Sequence, residues 1–429
     1  MSLLRSLYYR IAGLYFGWRM IAVGSVLRIL GGGLYFYGFS VFFLPLSQDL
    51  DLNRAATSLV FSLARAQGAF EGPIAGHFMD RHGPRPLMIM AILCAGVGHM
   101  LLAGVHSYAM LVIVYMGVVS LAFHAGFMDA PMLIANTWFI RQRTMAMALI
   151  SGSIGIGGFL FTPLLSSAVH TYGWRQAAFG CGMAFIVIGL PLAFLVRRSP
   201  ESMGLEPDGD GQPIDDGINQ TSNPRPIEAL DFTWQEAIKT SAFWFITGGT
   251  AIRVIVLSAI NVHYVALMVW KGMTPQRAAV FLAAQAFMSL PSHLLFGWLG
   301  DRVNKPRLMA ICMLVAASSM LLLVNIHAEW TILIFTALFS VVESTFPVNW
   351  STVEEYFGRK NFAKIRGSMS FVSTWGSVIG PVAAGAIYDQ TKSYEILIWS
   401  SAALLLLASV LYGWVTPPKP QAVVEQVRA

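Results

Sequence analysis

A short pattern of glycine, aspartate and arginine occurs twice in this otherwise apolar chain. It reads Gly76-His-Phe-Met-Asp80-Arg81-His-Gly83-Pro-Arg85 in the first half and Gly297-Trp-Leu-Gly-Asp301-Arg302-Val-Asn-Lys305-Pro-Arg307 in the second. The leading glycines, at positions 76 and 297, are 221 residues apart, and Pro163 and Pro381 keep nearly the same offset of 218. Such offsets predict a duplicated chain rather than a solenoid of short repeats. Function is then expected between the two halves.

The composition places the duplicated chain in a lipid bilayer. Of its 429 residues, 56% are hydrophobic and 12% are charged, and the mean hydropathy is +0.62. These values are far too apolar for a water-soluble domain of this size. The three cysteines, Cys94, Cys181 and Cys312, fall within apolar stretches and are expected to be buried small side chains.

Twelve apolar stretches are each long enough to cross a hydrocarbon core about 30 Å thick. They lie near residues 18–47, 56–79, 86–104, 108–138, 143–170, 174–196, 241–270, 275–300, 306–325, 329–357, 362–388 and 393–416. They predict an all-α membrane protein with twelve transmembrane helices in two pseudo-symmetric six-helix bundles. We expect an N-terminal bundle over residues 1–196, a cytoplasmic linker over 197–240, and a C-terminal bundle with a short cytoplasmic tail over 241–429.

The linker is predicted from a change to Pro, Gly, Asp, Asn and Ser between Arg197 and Trp234. Thr233 and Glu236 have the spacing of a capping box, which predicts a short amphipathic helix at the membrane surface before the seventh span.

The basic residues predict the orientation in the membrane. Most of them fall in turns on one side, and Arg54, Arg175, Lys271, Arg277 and Lys392 are the exceptions. The positive-inside rule therefore predicts a multi-pass plasma (inner) membrane protein with both termini in the cytoplasm. The net charge of +6 is dispersed among short loops, so no nucleic-acid partner is expected.

The duplicated signature is predicted to form a gate on the cytoplasmic side, because its glycines allow close helix approach and its charges can pair with neighbouring helix ends. The candidate gate residues are Gly76, Asp80, Arg81, Arg85, Gly297, Asp301 and Arg302. The alternative is that these charges only direct membrane topology.

These two loops resemble the signature that the major facilitator superfamily carries between helices 2 and 3 and between helices 8 and 9. Other stretches are similar to bacterial members of its monocarboxylate transporter and oxalate:formate antiporter group. These begin at Gly33-Leu-Tyr35, Asn53-Arg54, Pro200-Glu-Ser-Met-Gly204 and Glu355-Tyr-Phe-Gly358. The resemblance implies the superfamily's twelve-helix fold and transport of a small organic anion.

Ionisable side chains within the spans are candidates for function, because such groups are costly in the bilayer. They are Arg28, Arg65, Glu71, Asp129, Arg253 and Glu343. Three are positive and three are negative, so purely structural pairing is the alternative. The acids Glu71, Asp129 and Glu343 are predicted to couple transport to protons, since burial and neighbouring arginines act in opposite directions on carboxylate protonation.

Helical spacing selects the candidate substrate-binding residues. Arg28 and Tyr35 share one face of the first span, and Arg253 lies on the corresponding seventh span. Two such cations suit an anion held between the halves, since a guanidinium can bind a carboxylate with two hydrogen bonds. Ser289 and His293 share a face of the eighth span. His293 stands where the resembled group usually carries an arginine, and Ser289 where an acid is frequent.

The residues indicate no enzyme: no phosphate-binding Gly-Lys loop, metal-spaced Cys/His cluster or nucleophile motif stands out, so neither a cofactor nor a metal is expected. We predict a secondary active transporter that moves a small, monocarboxylate-like organic anion with a proton by alternating access, its partners being that anion, the proton and the lipid bilayer. The alternatives are an exchanger or exporter of a larger amphipathic molecule and a transport-dead membrane sensor.

Overall fold

A computed structural model of the chain describes residues 15–121, 123–139, 142–209, 232–300, 302–324, 329–358 and 361–418. This described part is almost entirely helical and contains no β-strand. Within it, eleven helices are long and apolar enough to cross a bilayer. The helix Arg54–His82 has 29 residues and falls outside that group because charged residues interrupt its apolar sequence. The predicted all-α architecture of twelve helices is confirmed.

The helices follow the predicted spans closely. In chain order they are α1 (Phe16–Asp49), α2 (Arg54–His82), α3 (Pro84–Leu102), α4 (Tyr108–Trp138), α5 (Arg143–Tyr172), α6 (Trp174–Leu195), α7 (Ser241–Trp270), α8 (Pro275–Gly300), α9 (Lys305–Val324), α10 (Glu329–Ser344 and Phe346–Phe357), α11 (Phe362–Thr391) and α12 (Glu395–Gly413). We call α1–α6 the first half and α7–α12 the second half. The predicted capping box of Thr233 and Glu236 is present on a one-turn helix, Trp234–Ala237. Residues 210–231 of the predicted linker lie outside the described residues.

The fourth helix of each half is interrupted near its middle. Helix α4 has a π-helical turn at His124–Asp129 that is followed by Pro131, and α10 breaks at Thr345 before Pro347. Proline has no backbone N–H group, so each proline leaves a carbonyl oxygen of the preceding turn without its helical donor. A carboxylate lies next to each interruption, Asp129 in α4 and Glu343 in α10.

Glycines hold the first and fifth helices of each half in backbone contact. A Cβ atom at Gly157 of α5 would lie 2.2 Å from the carbonyl oxygen of Ile29 in α1. A Cβ atom at Gly380 of α11 would lie 2.3 Å from the carbonyl oxygen of Ile255 in α7. Helices in lipid associate through such close approach of small residues. This close packing recurs in both halves.

The helix directions give the bundle two sides. The basic side carries the α2–α3 and α8–α9 turns, where the duplicated signatures lie, together with the ends of α6 and α12. The opposite side carries the ends of α1, α5, α7 and α11. Midway between them the halves meet through α5 and α8, where a Cβ atom at Gly155 would lie 2.5 Å from the carbonyl oxygen of Ala286.

Candidate functional site

An arginine and a carboxylate meet near the middle of the first half. Arg28 of α1 is half-buried, and its Nη1 atom donates a hydrogen bond of 3.1 Å to the backbone oxygen of Met128 in α4. The next residue, Asp129, is exposed and interacts electrostatically with Arg28. Arg28 therefore binds the backbone at the interruption of α4 while facing the acid beside it.

The second half repeats this arrangement. Arg253 of α7 donates from Nη1 to the backbone oxygen of Val342 in α10 at 3.2 Å and to the Thr345 hydroxyl at 3.3 Å. The residue after Val342 is Glu343, which interacts electrostatically with Arg253. Each half thus pairs an arginine from its first helix with the carbonyl that precedes an acid in its fourth helix. We call Arg28 with Asp129 the first Arg–acid unit and Arg253 with Glu343 the second.

The two arginines differ in their access to solvent. Arg253 is 2% exposed, and Arg28 is half-buried. In both, Nε is buried and has no hydrogen-bond partner among the described residues. Arg28 is therefore the more accessible of the two repeat-related cations in this conformation.

A third arginine, Arg65 of α2, interacts with groups in both halves. Its guanidinium is 4.8 Å from the ring centroid of Phe36 and 5.7 Å from that of Phe61. It interacts electrostatically with Glu343 in the second half and with His124 in its own half. Sequence reasoning recognised Arg65 as a charge within a span but gave it no place in the site.

Two of the predicted proton-coupling acids, Glu71 and Asp129, lie close enough to interact electrostatically. Glu71 accepts a hydrogen bond of 2.9 Å from the Gln67 amide and interacts electrostatically with Asp129. Asp129 also interacts with Arg366 of α11, which belongs to the other half. Asp129 therefore faces the space between the halves rather than the interior of its own half.

Tyr35, a predicted substrate-binding residue, is enclosed by aromatic rings. It is 5% exposed, and its ring centroid lies 3.7 Å from that of Phe123 and 5.8 Å from that of Tyr115. These stacks join α1 to α4. In this conformation Tyr35 contributes to the packing of the first half.

Ser289 and His293 lie on the face of α8 that meets α5. A Cβ atom at Gly155 would be 3.0 Å from the Ser289 hydroxyl oxygen, which donates to the Ala286 carbonyl at 2.8 Å. His293 is half-buried, and its Nδ1 lies 2.7 Å from the Ser289 carbonyl oxygen. A carbonyl only accepts, so Nδ1 carries the proton of this hydrogen bond. Both residues thus hydrogen-bond within α8.

The predicted gate residues lie on the basic side. Arg81 and Arg302 are exposed, and Arg85 is half-buried. Arg302 donates to the Trp298 carbonyl at 3.0 Å, and a Cβ atom at Gly297 would have no neighbour within 4 Å. Asp301 lies outside the described residues, and of Gly76 and Asp80 the structure describes only the helical backbone within α2.

Hydrogen bonds join the two halves on the opposite side. The Asp389 carboxylate of α11 accepts the backbone N–H groups of Arg54 at 3.0 Å and Ala55 at 2.9 Å. It therefore caps the N-terminus of α2 from the other half. The Arg54 guanidinium stacks 3.4 Å from the ring centroid of Tyr388 and donates to the Tyr394 hydroxyl.

His263 of α7 is fully buried within this contact. Its Nε2 lies 2.9 Å from the Ser58 hydroxyl and 3.0 Å from the Pro381 carbonyl, and its Nδ1 lies 2.9 Å from the Tyr394 hydroxyl. The carbonyl requires a proton on Nε2, so Nδ1 accepts from Tyr394. Burial raises the pKa of Tyr394, which keeps that hydroxyl protonated. We call Arg54, Ser58, His263, Asp389 and Tyr394 the opposite-side cluster.

Comparisons with known proteins agree with this architecture. The Major Facilitator Superfamily profile matches residues 21–270 and 249–428. Monocarboxylate transporter 13 of Rattus norvegicus is 24% identical over 382 residues, covering 86% of this chain and 82% of that protein. Monocarboxylate transporter 2 of Homo sapiens is 22% identical over 420 residues, covering 92% and 84%.

A solved structure has the same fold. It is a bacterial homolog of the human lysosomal transporter Spinster, described as inward-facing and occupied, with a TM-score of 0.67 and 13% identity. The match covers 94% of this chain and 96% of that one. Because the family profile spans both halves as well, the chain belongs to the Major Facilitator Superfamily of multi-pass membrane transporters.

Proposed function

We propose that this chain is a secondary active transporter that carries a small organic anion of the monocarboxylate kind together with a proton. The substrate binds between the halves, and transport proceeds by alternating access. The observation that carries the proposal is the duplicated Arg–acid unit, with Asp129 exposed to the space between the halves. A charged group near the bilayer centre costs roughly 2.5–3.5 kcal/mol on insertion scales, so four of them in repeat-related places suit a task that uses charge.

The first Arg–acid unit suggests how an anion and a proton are coupled. Arg28 faces Asp129, and a substrate carboxylate competes with Asp129 for that guanidinium. When the substrate binds Arg28, Asp129 loses the attraction of that guanidinium and binds a proton. When the substrate leaves, the arginine attracts the carboxylate again and the proton is released. The coupling follows from differential interaction with one charge.

The relatives support the choice of an anion. Both sequence relatives named above are monocarboxylate transporters, and each match covers most of the length of the relative. His293 stands where the resembled group usually has an arginine, so Arg28 and Arg65 supply the guanidinium groups here. Arg65 contributes from α2 and faces Glu343 of the second half.

We place the basic side in the cytoplasm of a plasma (inner) membrane, with both termini on that side. The positive-inside rule supports this orientation. The opposite-side cluster joins the halves on the outer side, while Asp129 is exposed below it. We infer from these features an inward-facing conformation, in which the duplicated loops would close the inner side.

Uptake into proteoliposomes tests the proposal. Formate, acetate, lactate, pyruvate and oxalate would each be measured with and without an inward proton gradient. For the transported acid, we expect Arg28→Lys to raise KM about tenfold or more, because one charge-assisted hydrogen bond is worth roughly 1.5–3 kcal/mol. Asp129→Asn should abolish gradient-driven accumulation and retain exchange. Glu395→Gln, which changes an exposed acid at the start of α12, is the matched control and should behave as the wild type.

Each other outcome rejects a defined part of the proposal. Uptake that is the same with and without the proton gradient rejects proton coupling. Exchange of amphipathic molecules without net uptake of any small acid favours the exchanger. Vesicles that transport nothing across the panel favour a transport-dead sensor.

A further inference from the structure

A cavity lies on the basic side, next to the first copy of the duplicated signature. This cavity, of about 560 Å³, opens between the α2–α3 turn and the segment that follows α6. Its lining includes four basic side chains, His82, Arg85, Arg197 and Arg198, and the hydroxyl-bearing Ser202. No acidic side chain is among the described residues that line it. The cavity therefore has room and charge for an anionic group.

Local geometry builds this cavity from two separate parts of the first half. Gly83 ends α2 with φ +79°, a conformation that favours glycine, and this turns the chain directly into α3. A Cβ atom at Gly83 would lie 2.9 Å from Cγ of Arg198, so the stem of Arg198 packs against the turn. The Arg85 guanidinium lies 5.4 Å from the ring centroid of Phe194 on α6. The bases are thus held around the opening by packing.

The second copy of the signature shows that membrane topology alone does not explain this arrangement. There Lys305 forms an ion pair with Glu355 at 2.7 Å. Arg302 stacks on Trp298, 4.0 Å from the ring centroid. Both copies provide positive charge on the same side, yet in the second copy a carboxylate pairs with one of the bases. In the first copy, His82 and Arg85 line a cavity.

An acid, Glu201, directly precedes Ser202 of the lining in sequence. Glu201 accepts a hydrogen bond from Ser199, which lowers the pKa of Glu201, and it is not part of the cavity lining. Phe194 and Leu195, on the adjacent surface of α6, are exposed apolar side chains at 49% and 55%. In a bilayer this surface contacts lipid chains, which places the cavity at the level of the headgroups.

We propose that this cavity binds a phosphate group and that its ligand is the headgroup of an anionic phospholipid. Arginine binds phosphate oxygens through paired N–H groups, and basic pockets on the cytoplasmic side of membrane proteins suit such headgroups. Arg85 and Arg197 provide the guanidinium groups, and Ser202 provides a hydroxyl. The acyl chains lie along the exposed apolar surface of α6. The site is independent of the transported substrate.

Lipid binding to the purified full-length chain tests the proposal. Native mass spectrometry would count retained phosphatidylglycerol, with phosphatidylcholine as the neutral lipid and inorganic phosphate as the soluble probe. We expect phosphatidylglycerol to be retained in preference to phosphatidylcholine, and Arg85→Gln and Arg197→Gln each to lower its retention about tenfold, the effect of losing one charge-assisted contact. Arg307→Gln, which removes the same charge at the corresponding position of the second signature, should leave retention unchanged. Arg85→Lys should keep part of the binding.

Three results would overturn it. Equal loss with Arg307→Gln would mean that general surface charge holds the lipid. Unchanged retention in both cavity variants would mean that the lipid binds elsewhere. Displacement of phosphatidylglycerol by millimolar inorganic phosphate would identify a soluble phosphate compound, rather than a lipid, as the ligand. Because Arg197 is exposed, its substitution should cost little stability, and a thermal melt of each variant separates loss of binding from loss of folding.

Discussion

Single residues gain their roles here from contacts between helices that are distant in sequence. Arg28 and Arg253 carry the same hydrogen bond to a carbonyl before an acid, and they differ mainly in exposure. Arg65 lies in the second helix of the first half and interacts with Glu343 in the fourth helix of the second half. The charged residues of one half therefore balance charges of the other.

A double-mutant cycle on Arg65 and Glu343 tests this balance. Arg65→Gln and Glu343→Gln each remove one partner of this contact across the halves, whereas the double variant removes both. We expect the double variant to lose less stability than the sum of the single variants, with a coupling of about 1–3 kcal/mol. Thermal unfolding in a neutral detergent measures it.

The ion pair Lys305–Glu355 is the matched control for that cycle. Its atoms are 2.7 Å apart on the basic side, with the Glu355 side chain 52% exposed, so its coupling should stay below about 1 kcal/mol. If Arg65 and Glu343 couple no more strongly than this surface pair, their electrostatic contact across the halves contributes nothing to stability.

The sequence identified the charged residues of the site, because an ionisable side chain in a span is conspicuous. It could not show that Arg253 is almost inaccessible or that Arg65 faces Glu343. Both facts depend on side-chain direction and on the packing of the halves. Helical spacing placed Tyr35 on the face of Arg28, yet aromatic stacking encloses its ring.

At the scale of helices, the opposite-side cluster includes an N-terminal cap of α2 that another helix, α11, supplies. The first N–H groups of α2 have no partner within their own helix, and Asp389 of α11 accepts two of them. Sequence patterns predict caps from residues next to the helix, such as Asn53, which also caps α2 through Ala56. A cap from 335 positions away carries no local signal.

Removing this cap should loosen the contact on the opposite side. Asp389→Ala should destabilise the state in which the halves are joined on the opposite side by about 1–2 kcal/mol. The opening of that side should then become roughly 5–30-fold more favourable. Ser40→Cys is a suitable reporter, because Ser40 is 2% exposed and its Oγ accepts the Val265 N–H from the other half. In a background without Cys94, Cys181 and Cys312, its thiol labelling rate should rise by that factor.

Asp49→Ala is the control for the cap. It breaks the ion pair between Asp49 and Arg175, 2.7 Å, which lies on the same side but within the first half. Its effect on the labelling of Ser40→Cys should be small. An equal increase in both variants would show that any charge loss on that side has the same result, and that the cap has no special part.

Replacing glycine by alanine should have opposite effects on stability at two positions, Gly158 of α5, which packs against α8, and Gly180 of α6. A Cβ atom at Gly158 would lie 2.5 Å from Cδ2 of Tyr37 and 2.6 Å from Cβ of Ala286, whereas one at Gly180 of α6 meets nothing within 4 Å. Gly158→Ala should therefore lower stability by about 1–3 kcal/mol through overpacking. Gly180→Ala should raise stability by about 0.4–1 kcal/mol, because it restricts the unfolded chain. Thermal unfolding measures both, and a neutral Gly158→Ala would show that α8 shifts freely.

For the whole molecule, the duplicated sequence predicted more than any single motif. The twelve spans agree with the observed helices to within a few residues, since long apolar runs and the repeat both limit the possible boundaries. The interruptions of α4 and α10 beside Asp129 and Glu343 were not predicted, although Pro131 and Pro347 lie close by in sequence. The two halves are joined at the helix ends on one side. This contact depends on tertiary packing, which the sequence pattern does not show.

The final prediction concerns the relative motion of the halves. Alternating access requires that the two sides open and close in opposite senses. Spin labels at His77→Cys and Val303→Cys report the distance across the basic side, and labels at Tyr172→Cys and Lys392→Cys report it across the opposite side; all four residues are exposed. Adding Asp389→Ala should lengthen the opposite-side distance and shorten the basic-side distance in the same population. Asp49→Ala should change neither. If only the opposite-side distance grows, the cap holds a local contact and the halves do not move as rigid bodies.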